Sequence, residues 1–156
     1  MSDIVLPAGP LRLANSPWTA EVEVKVQFYD LDPMEIVWHG RYVKYLEDAR
    51  CALLDQIDYN YPSMKQSGYA WPIIEMNLRY VQPAVFGQRL RVRAAIVEWE
   101  HRLRIDYLVS DAQSGKRLTR ATTHQVAVRV DTREMCFVSP PVLWHKLGLN
   151  PPSHST

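Results

Sequence analysis

The apolar residues of this chain change their spacing once and then change it back, and that order restricts the folds open to it. Val22, Val24, Val26 and Phe28 alternate with Glu21, Glu23, Lys25 and Gln27, the pattern of a half-buried strand. Tyr42, Leu46, Ala49 and Leu53 then recur at steps of four, three and four, which predicts a helix over 40–57, roughly 27 Å long at 1.5 Å per residue. A loop rich in Tyr, Asn, Pro and Gly is expected over 58–71, after which alternation returns in Ile74, Met76, Leu78 and Tyr80. It continues in Leu90, Val92, Ala94 and Ile96, in Leu103, Ile105, Tyr107 and Val109, and in a long run from Leu118 to Val130. Pro83 to Gly87, Glu98 to His101 and Ser114-Gly115 supply the breaks, and Pro140-Pro141 suits the start of a short helix near 142–147. A single long helix can cover only one face of so many strands, which gives an α+β architecture with one long helix wrapped by a curved antiparallel sheet. Ala95, Val97, Ala121 and Ala127 are assigned to the opposite face, where a second subunit would cover them.

Composition narrows the setting. The 156 residues fit one domain, over 19–149, between a flexible leader at 1–18 and a disordered tail at 150–156. A hydrophobic share of 47%, a charged share of 22% and a net charge of +1 give no general attraction to nucleic acid or to an anionic membrane. Cys51 and Cys136 form no CxxC pair, and the leader lacks a basic segment followed by an apolar one. No apolar run reaches the roughly 18–20 residues that span a bilayer. The expected location is the cytoplasm.

The chemistry concentrates between the first strand and the long helix. The stretch from Tyr29 to Tyr42 holds Asp30, Asp32, Glu35, His39 and Gly40. A helix start presents free N–H groups and a positive dipole end, which can polarise a carbonyl. A carboxylate beside it can attack a carbonyl carbon or deprotonate a water, and Gly40 would admit a close approach to the backbone. An acid in such a turn can equally bond its own neighbouring backbone, and the residues alone leave both roles open for Asp30 and Asp32.

Asp30-Leu31-Asp32-Pro33-Met34-Glu35-Ile36-Val37-Trp38-His39-Gly40-Arg41-Tyr42 resembles the signature of the 4-hydroxybenzoyl-CoA thioesterase class of hotdog enzymes and of the thioesterases associated with the Tol–Pal system. The similarity runs on through Val43 to Arg50 and, more weakly, through Arg79 to Ala84. The resemblance implies a hotdog fold and hydrolysis of an acyl-CoA or acyl-carrier-protein thioester. No metal or bound cofactor is expected, coenzyme A or phosphopantetheine being part of the substrate. Asp32 would be the catalytic carboxylate, as nucleophile through a mixed anhydride or as general base on water. The backbone near His39 and Gly40 would polarise the thioester carbonyl, and the His39 side chain would assist binding or proton transfer. Trp38, Gly40 and Tyr42 are candidate substrate-binding residues by the same resemblance, although Tyr42 also reads as a core residue of the helix. Sites of this family lie between subunits, so a homodimer is the expected minimum and a tetramer the expected assembly.

The chain departs from the pattern at Glu35, where the family usually has glycine, and at Met34, which replaces a small residue. Glu35 is therefore a further substrate-binding candidate, able to narrow the pocket, add a second acid or face solvent. The same departure keeps open a non-hydrolytic acyl-thioester-binding protein on this fold. A hotdog dehydratase would place its His and acid differently. Asp-Leu-Asp also resembles the haloacid-dehalogenase phosphatases, but the preceding strand alternates with charge and no Thr or Ser follows the second acid. There is no G-x-S-x-G elbow, and His39, His101, His124, His145 and His154 lack metal-ligand spacing. His124 reads as a hydrogen-bonded strand residue and Cys51 as a small buried helix residue. Arg89, Arg91, Arg93, Arg102 and Arg104 could meet the phosphates of coenzyme A or an acidic carrier protein, but are read first as a solvated face paired with Glu98, Glu100 and Asp106. Trp71, Trp99, Tyr59, Tyr61 and Tyr69 could line an acyl pocket or close the core.

Overall fold

A computed structural model describes residues 4–153. The outermost parts of the expected leader and tail, residues 1–3 and 154–156 with His154, lie outside the described residues. The first strand, β1, is Thr19–Lys25, and the long helix, α1, is Tyr42–Gln56, entered through a 3-10 turn at His39–Arg41. A short helix α2 at Tyr61–Gln66 and a strand β2 at Tyr69–Ala70 follow. Then come β3 (Ile73–Tyr80), β4 (Arg89–Glu98), β5 (Leu103–Asp111), β6 (Arg117–Gln125), β7 (Val128–Arg129) and the helix α3 (Pro141–Lys146).

Five strands form one antiparallel sheet in the order β1-β4-β5-β6-β3, while β2 and β7 pair separately. Helix α1 packs on β1 and β4. Its buried face comprises Tyr42, Tyr45, Leu46, Ala49, Leu53 and Leu54, meeting Leu90, Val92, Ala94 and Ile96 of β4 in one cluster. Leu46 and Leu53 are fully buried, each worth about 1.5–3 kcal/mol over an exposed leucine. The α+β arrangement, one long helix packed on a five-stranded antiparallel sheet, is the one expected from the periodicity.

Several expectations are corrected. Within 58–71, Asn60 caps α2 by accepting a hydrogen bond from the Tyr61 N–H at 2.8 Å, and Pro62 stands in its first turn, where a missing N–H costs nothing. The run from Leu118 to Val130 is not one strand. It leaves the main sheet after Gln125, whose side-chain amide donates to the Trp71 carbonyl at 2.8 Å, and Val128–Arg129 pairs instead with Tyr69–Ala70. Ala121 and Ala127 belong to the inner face: Ala121 stands opposite Tyr107, as does Ala94, and paired residues share a face. Ala95 and Val97 lie outside that cluster, yet both are buried within the single chain. The leader is not loose where it is described: Ile4 and Leu11 pack against the core, and the Ser16 hydroxyl donates to the Ile96 carbonyl at 2.5 Å. Cys51 is exposed rather than buried. From Asn150 to Ser153 the chain has neither helix nor strand.

The aromatic residues near α2 mostly close the core. Tyr59 is fully buried, accepting from the Trp71 indole at 3.0 Å, and Trp99 packs edge-on against Trp18 at 5.1 Å. Tyr61, by contrast, is 70% exposed. The strand arginines are largely paired as a solvated face, although two of the partners lie on β1: Arg89 with Glu23 and Arg91 with Glu21, then Arg102 with Glu98 and Arg104 with Asp106. No helix among the described residues is long and apolar enough to cross a membrane.

Candidate active site

Between β1 and α1 the chain forms two small turns that treat the two acids differently. The first, a 3-10 turn at Phe28–Asp30, closes when the Gln27 N–H donates to Asp30 Oδ2 at 2.8 Å. Asp30 is 4% exposed, and its other oxygen accepts from Arg41 Nε at 2.5 Å. The Tyr45 hydroxyl faces the same carboxylate from α1 without a well-formed hydrogen bond, and burial, followed by the Asp30 carboxylate, pushes that phenol well above its ordinary range. Asp30 thus ties β1 to the start of α1.

The second turn carries Asp32. The Glu35 N–H donates to the Asp32 carbonyl and the Asp32 N–H to the Ile36 carbonyl, both at 2.9 Å, and Leu31 bridges Val37. This is a four-residue turn with Pro33 second and a left-handed residue at its end, the arrangement that favours glycine last. Glu35 holds that place with φ 64° and is exposed. That is a backbone angle glycine adopts without strain, and the Glu35 side chain has no partner among the described residues. Asp32 is half-buried, and its Oδ1 accepts from the Met34 N–H at 2.8 Å. Its Oδ2 has no hydrogen-bond partner among the described residues.

The turn is fastened from the far side by the β3–β4 connection. The Val37 N–H donates to the Ala84 carbonyl and Ile36 bridges Val85, while the Trp38 N–H donates to the Asp30 carbonyl. His39 and Gly40 follow at the helix start, where the leading N–H groups have no intrahelical acceptor. The His39 carbonyl accepts from the Tyr80 hydroxyl at 2.7 Å, and the His39 ring lies 5.2 Å from that of Trp38. A Cβ on Gly40 would fall 2.5–2.8 Å from three atoms of the Trp38 indole, so the close approach that requires glycine is made by Trp38.

The sequence-derived candidates thus fall into two groups. Trp38, His39 and Gly40 are in mutual contact, and Asp32 and Glu35 share one turn, but no hydrogen bond or ion pair joins Asp32 to His39 among the described residues. Tyr42 is 2% exposed and packs edge-on against Tyr45 and Tyr80 at 5.7 and 5.2 Å, so in this chain it is a core residue without an open face for a ligand. Two residues went unmarked in the sequence. Arg41, inside the quoted stretch, clamps Asp30 and lies over the Tyr29 ring at 5.2 Å; Tyr80, noted only as a strand residue, supports His39. The Arg41–Asp30 pair had a signal, a lone cation one residue before the helix, whereas the contact from Tyr80 joins residues 41 apart and had none.

His124 is on the far side of the sheet from α1. Its Nδ1 lies 3.4 Å from Glu75, but neither ring nitrogen makes a hydrogen bond, contrary to the expectation for a strand histidine. Among the described residues, no three His, Cys, Asp or Glu side chains are grouped as metal ligands would be.

Residues 26–146 match the thioesterase-like superfamily. A 1,4-dihydroxy-2-naphthoyl-CoA hydrolase of Synechocystis is 27% identical over 118 residues, 74% of this chain and 86% of the relative. The crystal structure of a 1,4-dihydroxy-2-naphthoyl-CoA thioesterase from Synechocystis superposes with a TM-score of 0.73 at 26% identity, covering 86% of this chain and 99% of that one. A 4-hydroxybenzoyl-CoA thioesterase structure shares the fold, with a TM-score of 0.72 at 20% identity over 83% of this chain and 98% of that one. Against two further relatives, from Bacillus subtilis and Synechocystis, the chain spans only 56% and 60% of the relative's length. The turn, the helix start and the sheet that carries them are those of a hotdog domain, and the chain belongs to the thioesterase-like superfamily.

Proposed function

We propose that this chain hydrolyses an acyl thioester of coenzyme A or of a phosphopantetheine-bearing carrier protein, with Asp32 as the working acid. The observation that carries the reading is the division of labour between the two aspartates. Asp30 is buried and spent on Arg41 and Gln27, whereas Asp32 sits next to it on an accessible turn with one oxygen unengaged among the described residues. As general base, Asp32 takes a proton from water while the water oxygen bonds to the acyl carbon. The oxyanion so formed is met by the N–H groups of His39 and Gly40; it then collapses, the C–S bond breaks, and the proton passes to the departing thiolate. As nucleophile, Asp32 bonds to the acyl carbon directly, expels the thiolate, and is released when water cleaves the anhydride. In both, the His39 side chain and the half-exposed Trp38 ring border the acyl or thiol arm.

A homodimer completes the site in this reading. Phe28, Tyr29, Met34, Trp38 and Phe86, on the turn and the β3–β4 connection, are each more than half exposed, apolar surface that a second subunit would cover. Glu35 takes φ 64°, so the turn that carries Asp32 forms without glycine. The test is free-thiol release from a panel of acyl-CoA thioesters. Wild type should turn over, and Asp32→Asn should lose about a hundredfold or more. Wild type that binds acyl-CoA but releases no thiol from either CoA or carrier-protein substrates would establish the binding role instead.

A further inference from the structure

The sheet face turned away from α1 carries a concave pocket of about 800 Å³, within the roughly 300–1,000 Å³ usual for small-molecule sites. Its lining includes Arg12, Arg79, Arg104, Arg117 and Arg120, against a single carboxylate, Asp106. That carboxylate is already engaged: Asp106 Oδ1 accepts from Arg104 Nε at 3.0 Å and from the Thr122 hydroxyl at 3.1 Å. Arg12, Arg79, Arg117 and Arg120 have no ion pair among the described residues. The basic row on β4 differs, for Arg89 and Arg91 each meet a glutamate of β1.

The placement is also electrostatically unfavourable within the chain. Arg79 of β3 and Arg120 of β6 are direct cross-strand partners, and like charges so opposed destabilise a sheet. The strand alternation that sends Leu78 and Ala121 into the core sends both guanidinium groups to the outer face. The leader residues Arg12 to Ala14 also line the pocket, so the segment before β1 adds a further cation to it. Guanidinium groups bind phosphate oxygens in a forked geometry, and a ligand with adjacent phosphates would satisfy several at once.

We propose that this outer pocket is a binding site for a compound bearing two or more phosphate groups, such as a diphosphate ester. It lies on the other face of the sheet from α1. Such phosphates could belong to the nucleotide end of an acyl-CoA substrate or to a free phosphorylated compound. Only the choice between these sources rests on the thioesterase reading.

The test uses the full chain, with inorganic pyrophosphate as probe and adenosine as the uncharged control, followed by calorimetric titration and thermal unfolding. Pyrophosphate should bind and raise Tm, adenosine should not, and the binding should weaken as salt rises. The double variant Arg79→Gln, Arg120→Gln should lose at least tenfold in affinity. Without ligand at low salt it should be no less stable than wild type, since it loses a repulsion. Arg117→Gln, which leaves the strand pair intact, should also weaken pyrophosphate binding and serves if the double variant does not fold. Wild type that fails to bind pyrophosphate, or variants that bind it equally well, would overturn the site. In kinetics, a KM raised at least tenfold by the double variant for acyl-CoA, but not for the matching acyl-N-acetylcysteamine thioester, would assign the pocket to the substrate's phosphates. An unchanged KM for both would assign it to a free phosphorylated ligand. A wild type without turnover would defeat the thioesterase reading and leave the pyrophosphate result standing.

Discussion

Replacing Glu35 by glycine should make the protein more stable while leaving its chemistry alone. Glu35 sits at φ 64°, held there because its N–H closes the turn on the Asp32 carbonyl and the next carbonyl, of Ile36, receives the Asp32 N–H. A left-handed backbone costs an L-residue about 1–2 kcal/mol, which glycine avoids. Glycine in turn gives the unfolded chain more freedom, a loss of about 0.5–1 kcal/mol. The difference leaves a gain of about 0.5–1 kcal/mol, or roughly 1–4 °C in Tm for a chain of this size. Because the Glu35 side chain is exposed and has no partner among the described residues, no contact is lost to offset the gain. Differential scanning calorimetry measures the shift, and thiol release from the same preparations measures the chemistry. A lower Tm would refute the strain argument. A tenfold change in turnover or in substrate range would mean that the Glu35 carboxylate, rather than its backbone, is what the site uses.

Asp30→Asn should behave in the opposite way from Asp32→Asn: it removes the charge paired with Arg41 in a largely buried place, costing about 2–3 kcal/mol, or roughly 4–12 °C in Tm, measurable by thermal unfolding. An unchanged Tm would deny Asp30 its structural role. Gly40→Ala has room for its backbone but puts a Cβ into the Trp38 indole, so the ring must swing aside; the emission spectrum of that half-exposed tryptophan should shift, and an unaltered spectrum would contradict the contact. His124 supplies a pH dependence. Burial and then Arg102 hold its imidazole below the ordinary histidine value, with Glu75 opposing, Arg104 adding to the fall and Glu98 opposing again. The unfolded chain therefore takes up the proton first as pH drops, so this contribution to stability is complete above about pH 6.5 and is lost as pH falls through the lower folded value. Urea midpoints at pH 7.5 and 5.5 should differ less in His124→Gln than in wild type, and an equal difference would remove His124 from the acid limb.

The alternation of strands around one helix was legible because a spacing of two or of 3.6 follows directly from which residues meet the core. What failed was information that spacing does not contain. Parity along β6 separates Ala121 from Thr122 but does not say which of them faces in; only the register opposite Tyr107 decides it. Val128–Arg129 alternates as well as any strand, yet its partner is the two-residue strand near Trp71, reached after the ladder breaks at Val126 and Ala127. The exposure of Cys51 follows from helix geometry: at about 100° per residue it lies roughly 180° around α1 from Tyr42, on the wet side. In the site, the acid pair was visible from its motif, but its division into a buried Asp30 and an available Asp32 needed Arg41 and Gln27 in place. Helix α2 was announced by Asn60 and Pro62, a cap and a first-turn proline hidden among other loop-forming residues.

The five tryptophans of the chain are distributed so that light can report on two events separately. Trp18, Trp99 and Trp144 form an edge-packed series linking the segment before β1, the β4–β5 reversal and α3, with Trp18–Trp99 and Trp99–Trp144 centroids 5.1 and 6.5 Å apart. All three are under a tenth exposed, as is Trp71, whereas Trp38 is 51% exposed beside the candidate active site. Near-ultraviolet dichroism from the buried series will follow the docking of the segment before β1 and of α3 onto the β4–β5 reversal. Collisional quenching by iodide will fall mainly on Trp38, so the occupancy of the site can be titrated in an unlabelled protein while the dichroism certifies that these segments have stayed in place.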